Sequence, residues 1–329
     1  MSAVLVVGGA GYIGSHVCKE LARRGYLPVT YDSLVTGHRE AVRWGPFAPG
    51  DLADRQRLDD ILDHYRPATV MHFAAFTFVG ESVVDPGKFY RNNVVASLVL
   101  LEAMREHGIR NLVFSSSCAV YGQPQQIPLV ESHPRDPANP YGFTKYVVEQ
   151  MLADFGQAHG LRSVALRYFN AAGADAEHEI GELHTPETHL IPLALAAAMG
   201  RGPPLTILGT DYPTPDGSGI RDYIHVTDLA VAHIRAMELL EHASGPGAFR
   251  AYNLGAGEGY SVWQVLNMIK EKTGLEVPIV MGSRRAGDVP RLIGDNTLAR
   301  RDLNWEPQYS SLTNMVTTAW RWMQQCRCS

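Results

Sequence analysis

One short stretch constrains the fold of this chain more than any other: Gly8-Gly9-Ala10-Gly11-Tyr12-Ile13-Gly14, directly after the apolar run Ala3–Val7. The run is rich in valine and reads as a buried strand. After the glycines, Ile13, Val17 and Leu21 recur every four residues, which is the period of one helix face. Gly8, Gly11 and Gly14 therefore sit where a strand turns into a helix. Glycine there permits a tight turn, lets backbone approach a pyrophosphate, and lets helix pack closely on strand. The helix start supplies unpaired N–H groups and a positive dipole end for phosphate. Tyr12 and Ile13, between the glycines, fall against the same ligand. The stretch reads as a dinucleotide-binding loop, with a merely structural turn as the alternative.

A second strand, Leu27–Tyr31, leads to Asp32, 18 residues after Gly14. A carboxylate at this place accepts hydrogen bonds from ribose hydroxyls and repels a 2′-phosphate. Ser33 and Leu34 follow, not Arg, which favours NAD over NADP. Asp51 and Leu52 are placed to bracket the adenine, and Asp54 reads as a helix cap.

Further apolar runs at Ala68–Phe73, Asn111–Ser115 and Ser163–Tyr168 alternate with helical spacing, as at Leu58, Ile61 and Leu62. Alternation of this kind implies α/β architecture: a doubly wound parallel sheet covered on both faces. From Ala174 to Gly219 the chain is rich in Pro and Gly. Helices fit at Leu190–Gly200 and Ser261–Thr273, and strands at Leu205–Leu208, Ala251–Leu254 and Val277–Val280. A soft boundary falls near residue 172, separating residues 1–172 from a smaller C-terminal domain, 173–329. Residues 222–258 carry a helix, Val226–Leu240, and a strand, Ala251–Gly255, that return to the first domain, so the two interleave. Two segments, Asn93–Met104 and Tyr146–Phe155, are apolar on more than one side, which fits burial inside the monomer or a subunit interface.

The chemistry-bearing residues lie where a fourth strand ends. Ser115-Ser116-Ser117 stands there, and 24 residues beyond Ser117 comes Tyr141-Gly142-Phe143-Thr144-Lys145. Tyr141 and Lys145 are four apart, so a helix sets them on one face. A phenol has a pKa of about 10 and is a poor base. An adjacent ammonium and a cationic nicotinamide would favour phenolate and bring it toward the working range. Ser117 shares the hydrogen bond to a substrate hydroxyl.

Together, the glycine loop, Ser117 and Tyr141-x-x-x-Lys145 resemble the extended short-chain dehydrogenase/reductase family. Within it the chain is similar to the 4-epimerases that interconvert UDP-glucose and UDP-galactose. The likeness runs through Val79-Gly80-Glu81-Ser82, Val120-Tyr121-Gly122, Arg167-Tyr168-Phe169-Asn170, Arg221-Asp222-Tyr223-Ile224-His225-Val226 and Arg285-Ala286-Gly287-Asp288. The resemblance implies a Rossmann fold, bound NAD, a UDP-sugar substrate and a homodimer joined by the two apolar helices. It implies that Phe73, Ala74, Ala75, Asn93 and Phe169 line the NAD channel. Asn170, Arg221 and Arg285 would meet the substrate diphosphate, Asp288 the uridine ribose, and His189, Leu190 and Leu292 the sugar side. Thr77, Ala119, His189 and Leu292 depart from residues common in that family, and the last two bear on sugar choice. A 4,6-dehydratase of the same fold needs an acid and a base after the Ser; Cys118 and Ala119 cannot serve. Epimerases of UDP-N-acetylhexosamines, UDP-pentoses or UDP-glucuronate stay open, as does a non-catalytic NAD-sensing module. His72 and His225 read as core or strand-end histidines.

Composition excludes other classes. Across 329 residues, 29 Lys and Arg against 34 Asp and Glu leave a net charge of −5. This is no basic surplus for nucleic acid. Ala68–Val79 and Leu190–Met199 are too interrupted or too short to cross a membrane. Cys18 and Cys118 sit in apolar segments, and Cys326 and Cys328 lack a second pair at ligand spacing. The expectation is a reduced, cytoplasmic protein without a structural metal.

Overall fold

The computed structural model describes residues 1–243, 245, 247–285 and 287–326; Ala286 and Cys328, named above, lie outside the described residues. The strands in chain order are β1 (Ala3–Val7), β2 (Leu27–Asp32), β3 (Phe47–Pro49), β4 (Thr69–His72), β5 (Asn111–Ser117), β6 (Arg162–Tyr168) and β7 (Asn170–Ala172). There follow β8 (Leu205–Leu208), β9 (Ile220–His225), β10 (Phe249–Leu254), β11 (Gly259–Ser261), β12 (Ile279–Gly282) and β13 (Arg291–Leu292). Seven of them form one sheet in the order β10-β6-β5-β4-β1-β2-β3, every pair parallel. The order reverses between β1 and β4, the switch point at which doubly wound sheets bind ligands.

Successive residues of β1 point to opposite faces, and both faces are covered. Val4 and Val6 pack with Val17 and Leu21 of the helix Tyr12–Arg23 and with Leu229 and Met237 of the helix Val226–Glu241. Leu5 and Val7 pack with Leu58 and Ile61 of the helix Arg55–Tyr65 and with Leu100 and Leu152. A strand buried on both sides has no polar alternation, which is why β1 reads as a continuous apolar run.

The fourth strand of the sequence reading is the fifth in the fold. The missed one, β3, has three residues and ends in Pro49. It is the sheet's edge, where a proline without an N–H costs no ladder hydrogen bond. The strand expected at Val277–Val280 is shifted to Ile279–Gly282, because the pairing to β8 begins with Leu205 N donating to the Pro278 carbonyl. The segment Asn93–Met104 is not one regular helix. A π-helical turn, Tyr90–Val95, precedes the α-helix Ala96–Glu106. The helix Val226–Glu241 packs against Tyr12–Arg23, and β10 pairs with β6.

A smaller set of elements has its own core, built from the helices Leu190–Ala198, Val262–Thr273 and Leu312–Gln325. It joins the sheet side through β9, which pairs with β7, β11 and β13 and runs directly into Val226–Glu241. Among the described residues no helix is long and apolar enough to cross a membrane.

The helix Pro140–His159 is set with particular care. Asn139 caps it, its Oδ1 accepting from Gly142 N at 2.9 Å, with Pro140 in the first turn and left-handed Gly160 at the end. Its Glu149 is fully buried and takes both arms of the Arg167 guanidinium of β6, at 2.9 and 2.6 Å. Ser116 Oγ donates to the same carboxylate at 2.6 Å. Removing one partner of such a pair leaves a buried charge uncompensated. Glu149→Gln is expected to cost about 3–5 kcal/mol, seen as a lower denaturation midpoint; an unchanged midpoint would refute this account of how the helix is fixed.

Candidate active site

A cleft opens at the carboxyl ends of β1, β2, β4, β5 and β6 and is lined by Gly8, Asp32, Phe73, Ser117 and Tyr168, among others. Around the glycine turn there is no spare room on the protein side. A Cβ on Gly14 would stand 2.3 Å from the Gly8 carbonyl oxygen, and one on Gly8, at φ +81°, 2.5 Å from Ala74 N. A Cβ on Gly11 would meet protein no closer than 3.4 Å. Gly11 therefore presents bare backbone to the cleft. It is also the N-cap of Tyr12–Arg23, with no side chain capping the helix and no acidic residue in the first turn. The free N–H groups and dipole end are left for an anion.

Asp32 stands at the end of β2. Its Oδ2 accepts from Ala10 N at 2.9 Å and its Oδ1 from Leu34 N at 2.8 Å. Burial pushes its carboxyl up, and those two backbone hydrogen bonds oppose the shift. Each oxygen keeps a further acceptor site for a ribose hydroxyl. The second bond holds Leu34 at φ 59°, a strained conformation for a residue with a Cβ. Asp51, Leu52, Phe73, Ala74, Ala75, Tyr12, Ile13 and Phe169 line the same cleft. The donor set and the bare glycine turn fit a dinucleotide.

Asn93 departs from expectation. It is buried and is not among the residues lining the cleft. Its amide donates to the Phe76 carbonyl at 3.0 Å and to Thr144 Oγ1 at 3.1 Å, and accepts from Phe76 N at 2.9 Å. It holds the loop after β4 against the helix of Tyr141 and Lys145, and so shapes the channel from behind.

Ser117, Tyr141 and Lys145 meet in the cleft, as the spacing implied. Lys145 Nζ donates to the Ser115 carbonyl at 2.7 Å and lies 6.0 Å from the centre of the Tyr141 ring. Burial lowers Lys145 to about 7, the charge of Glu149 opposing it. Burial raises Tyr141 to about 12, a hydrogen bond with Ser117 opposing it. The depression expected for Tyr141 is therefore not supplied by these side chains alone: desolvation wins until a further cation enters the cleft. Tyr168, which received no role in the sequence reading, also lines it; its hydroxyl bonds Ser115 Oγ, and burial pushes its pKa well up.

On the substrate side Asn170 lines the cleft and donates to the Asp222 carbonyl at 2.7 Å, and His189 lines it too. Leu190, Arg221, Arg285, Asp288 and Leu292 do not line it. Arg221 Nη2 pairs with Asp288 Oδ1 at 2.6 Å, so two groups expected to hold different parts of a ligand hold each other here. Arg285 is exposed, and its carbonyl accepts from Asp288 N. Leu292 packs with Cys118, Val120, Tyr121 and Phe169 just beyond Ser117. His72 and His225 are structural: His72 Nε2 meets Ser97 Oγ, and His225 caps Val226–Glu241. Sequence reasoning also missed Glu182 and His184, which line the cleft. Their signal was the pattern Glu182-x-His184-x-x-Glu187-x-His189.

Residues 4–255 match the model of the NAD dependent epimerase/dehydratase family. A UDP-glucose 4-epimerase of Rhizobium leguminosarum bv. trifolii is 54% identical over 97% of this chain and 96% of its own length. The UDP-glucose 4-epimerase from Brucella ovis, solved in complex with NAD, is 53% identical, covers 98% of both chains and superposes with a TM-score of 0.95. A UDP-Glc/GlcNAc 4-epimerase from Campylobacter jejuni is 35% identical over 99% of this chain and 100% of its own, with a TM-score of 0.86. The chain belongs to the NAD-dependent epimerase/dehydratase family.

The Lys145 environment has a consequence for stability. Its folded pKa, about 7, lies below the usual 10.5, so between those values the unfolded chain holds a proton that the folded chain has released. Stability then rises with pH across that window. In protein stripped of cofactor, wild type should gain stability relative to Lys145→Met between pH 7 and 9 in denaturant titrations. A constant difference would show that Lys145 is not desolvated.

Proposed function

We propose that this chain interconverts UDP-glucose and UDP-galactose by NAD-dependent inversion at C4. The observation that carries the reading is the convergence of Ser117, Tyr141 and Lys145 on one cleft with the bare glycine turn and Asp32. The residues after Ser117 fit an epimerase better than a dehydratase. Burial raises the Cys118 thiol to about 12, and Ala119 has no titratable group, so neither moves a second proton.

The glycine turn, Asp32 and the loop Phe73–Ala75 would hold NAD, with Asp51 and Leu52 beside its adenine. When bound, NAD supplies the acceptor and donor of the C4 hydride and a positive ring. Tyr141 takes the proton of the 4-hydroxyl, with Ser117 sharing the hydrogen bond. Lys145 in its cationic form stabilises the phenolate electrostatically. Tyr141 returns the proton when the hydride comes back on the other face of the 4-keto sugar. Asn170, Arg221 and Arg285 would anchor the diphosphate and Asp288 the uridine ribose, leaving the hexose ring as the part free to turn. Arg221 would have to share or exchange its Asp288 partner to do so. His189 and Leu190 would face the sugar side.

Leu292 bears on which sugars turn over. It is purely apolar and shorter than the Tyr common at this place in the family, which would leave room near C2 for an N-acetyl group. A pocket difference of this size is worth only ~1–3 kcal/mol. The name of the Campylobacter jejuni relative pairs both sugars. The chain should epimerise UDP-glucose in a panel of UDP-sugars followed by NMR, with measurable turnover of UDP-N-acetylglucosamine. Tyr141→Phe should lose ~10²–10⁴-fold in rate, and Leu292→Tyr should lower the acetylated-to-plain ratio of kcat/KM. Net NADH accumulation, or deuterium on C5 after turnover in D2O, would replace the epimerase reading with a dehydrogenase or a dehydratase.

A separate apolar face supports a homodimer. Val83, Val84, Val95, Leu98 and Phe143 are 64, 85, 54, 38 and 42% exposed. They lie on neighbouring helices, including Ala96–Glu106 and Pro140–His159. Isolated apolar residues need no partner, but a contiguous group of this kind marks an interface. Wild type should sediment as a dimer and Leu98→Glu as a monomer; a monomeric wild type removes the proposal.

A further inference from the structure

One group of side chains is used neither by the proton transfer nor by the glycine turn: Glu182, His184 and His189 of the cleft wall, with Glu187 beside them outside the lining. Their ligand atoms all lie within 4.8 Å of one another. His184 Nδ1 is 3.0 Å from Glu182 Oε1 and 3.8 Å from Glu187 Oε2. His189 Nδ1 is 2.8 Å from Glu182 Oε1 and 2.9 Å from Glu187 Oε1. We infer that these four residues form a binding site for one divalent transition-metal ion, of which Zn2+ fits best.

The geometry matches the ion. Zn2+ takes imidazole nitrogen and carboxylate oxygen at about 2.0–2.2 Å in a tetrahedron. The corners of a tetrahedron of that size are about 3.3–3.6 Å apart. The contacts of 2.8, 2.9 and 3.0 Å fall short of that spacing and the 3.8 Å contact a little beyond it, and Glu187, which offers Oε2 to His184 and Oε1 to His189, would turn one oxygen to the ion. Two carboxylates neutralise a divalent ion within a half-buried site. Nitrogen with oxygen donors selects Zn2+ over Ca2+ or Mg2+, which take oxygen alone.

Outer contacts orient Glu187 and hold the backbone of residues 182–183. Glu187 Oε1 accepts from the backbone N–H groups of Thr188 at 2.6 Å and His189 at 2.8 Å. This fixes the carboxylate and leaves Oε2 toward His184. The carbonyl of Glu182 accepts from Trp322 Nε1 at 3.1 Å, and that of Leu183 bonds His38 Nε2 at 2.6 Å. A second acidic group, Asp175, Glu177 and Glu179, has no imidazole among its ligand atoms. Lys19 Nζ is 2.7 Å from each of those carboxylates and already supplies the cation.

Four protein ligands close the coordination shell, so the ion would be structural and would not activate water. It would staple residues 182–184 to residues 187–189, just ahead of the helix Leu190–Ala198. The sequence reading expected no metal because it looked for ligands around the cysteines; the pattern Glu-x-His-x-x-Glu-x-His lies in the Pro-rich segment instead.

The test uses untagged, full-length holoenzyme, treated with chelator, dialysed, and titrated with Zn2+ or Co2+. Elemental analysis should find about one ion per chain. Co2+ should give the intense visible bands of a tetrahedral nitrogen and oxygen site. Glu187→Gln, close in shape and outside the cleft lining, should weaken binding by at least about tenfold, with circular dichroism and NAD content confirming its fold. The wild-type Co2+ spectrum decides even if that variant does not fold. No bound ion, the weak bands of an octahedral ion, or a thiolate band placing Co2+ on Cys326 or Cys328 would each overturn the site. Since no readout depends on turnover, failure here leaves the epimerase reading untouched.

Discussion

The ion pair of Glu149 with Arg167 is the contact on which the geometry of the cleft around Tyr141 and Lys145 hangs. Tyr141, Lys145 and Glu149 are each four residues apart and so share one face of the helix Pro140–His159. Glu149 grips β6 through Arg167 and β5 through Ser116, which draws that face against the carboxyl ends of both strands. Arg167 in turn donates to the Tyr121 hydroxyl, which donates to Asn253 of β10. Four elements are thus locked by one buried polar network, every member of which has a partner. Low-dielectric surroundings make such a network strong when complete and costly when broken. The same carboxylate sits near Lys145 and opposes the loss of its charge.

The sheet explains why the chemistry gathers where it does. β1 sends its following helix to one face and the reversal of strand order sends others to the opposite face, so a crevice is left between them. The nucleotide-binding end is made of backbone: bare glycine, helix start, and Asp32 tied to two amides. The reactive end is made of side chains whose ionisation is poised by burial, with Tyr141 high and Lys145 low. In the proposed reaction Tyr141 would be a poor base in the empty cleft, and the positive charge that favours its phenolate would arrive with the cofactor.

Much of this was legible in the chain. Gly8, Gly11, Gly14 and Asp32 carry local signals, since each depends on the turn it occupies, and Tyr141 with Lys145 depends only on helical spacing. β1, β2, β5 and β6 were readable because both their faces are buried. What was hidden depends on long-range packing. β3 is too short to show a period and draws its partner from β2. The π-helical turn at Tyr90–Val95 is accompanied by the bonds of Asn93 to Phe76 and Thr144, residues distant in sequence. The pairing of Arg221 with Asp288 spans 67 positions and has no sequence period at all. The high pKa of Tyr141 follows from how much of the phenol is dehydrated, which only the folded packing sets.

The segment that runs from β7 toward His189 is moored to the first unit of the sheet. Tyr12 OH donates to the Gly173 carbonyl, Lys19 bonds Asp175, and His38 bonds the Leu183 carbonyl, joining positions 161, 156 and 145 residues apart. Glu182 and His184, beyond these moorings, help line the cleft with the glycine turn. A dinucleotide seated there cannot leave by the swing of a single side chain. Its release would ask several of these ties to let go together, a subglobal opening with its own free energy. In the epimerase reading proposed above, exchange with free dinucleotide would wait on that opening, and one cofactor molecule would serve many turnovers.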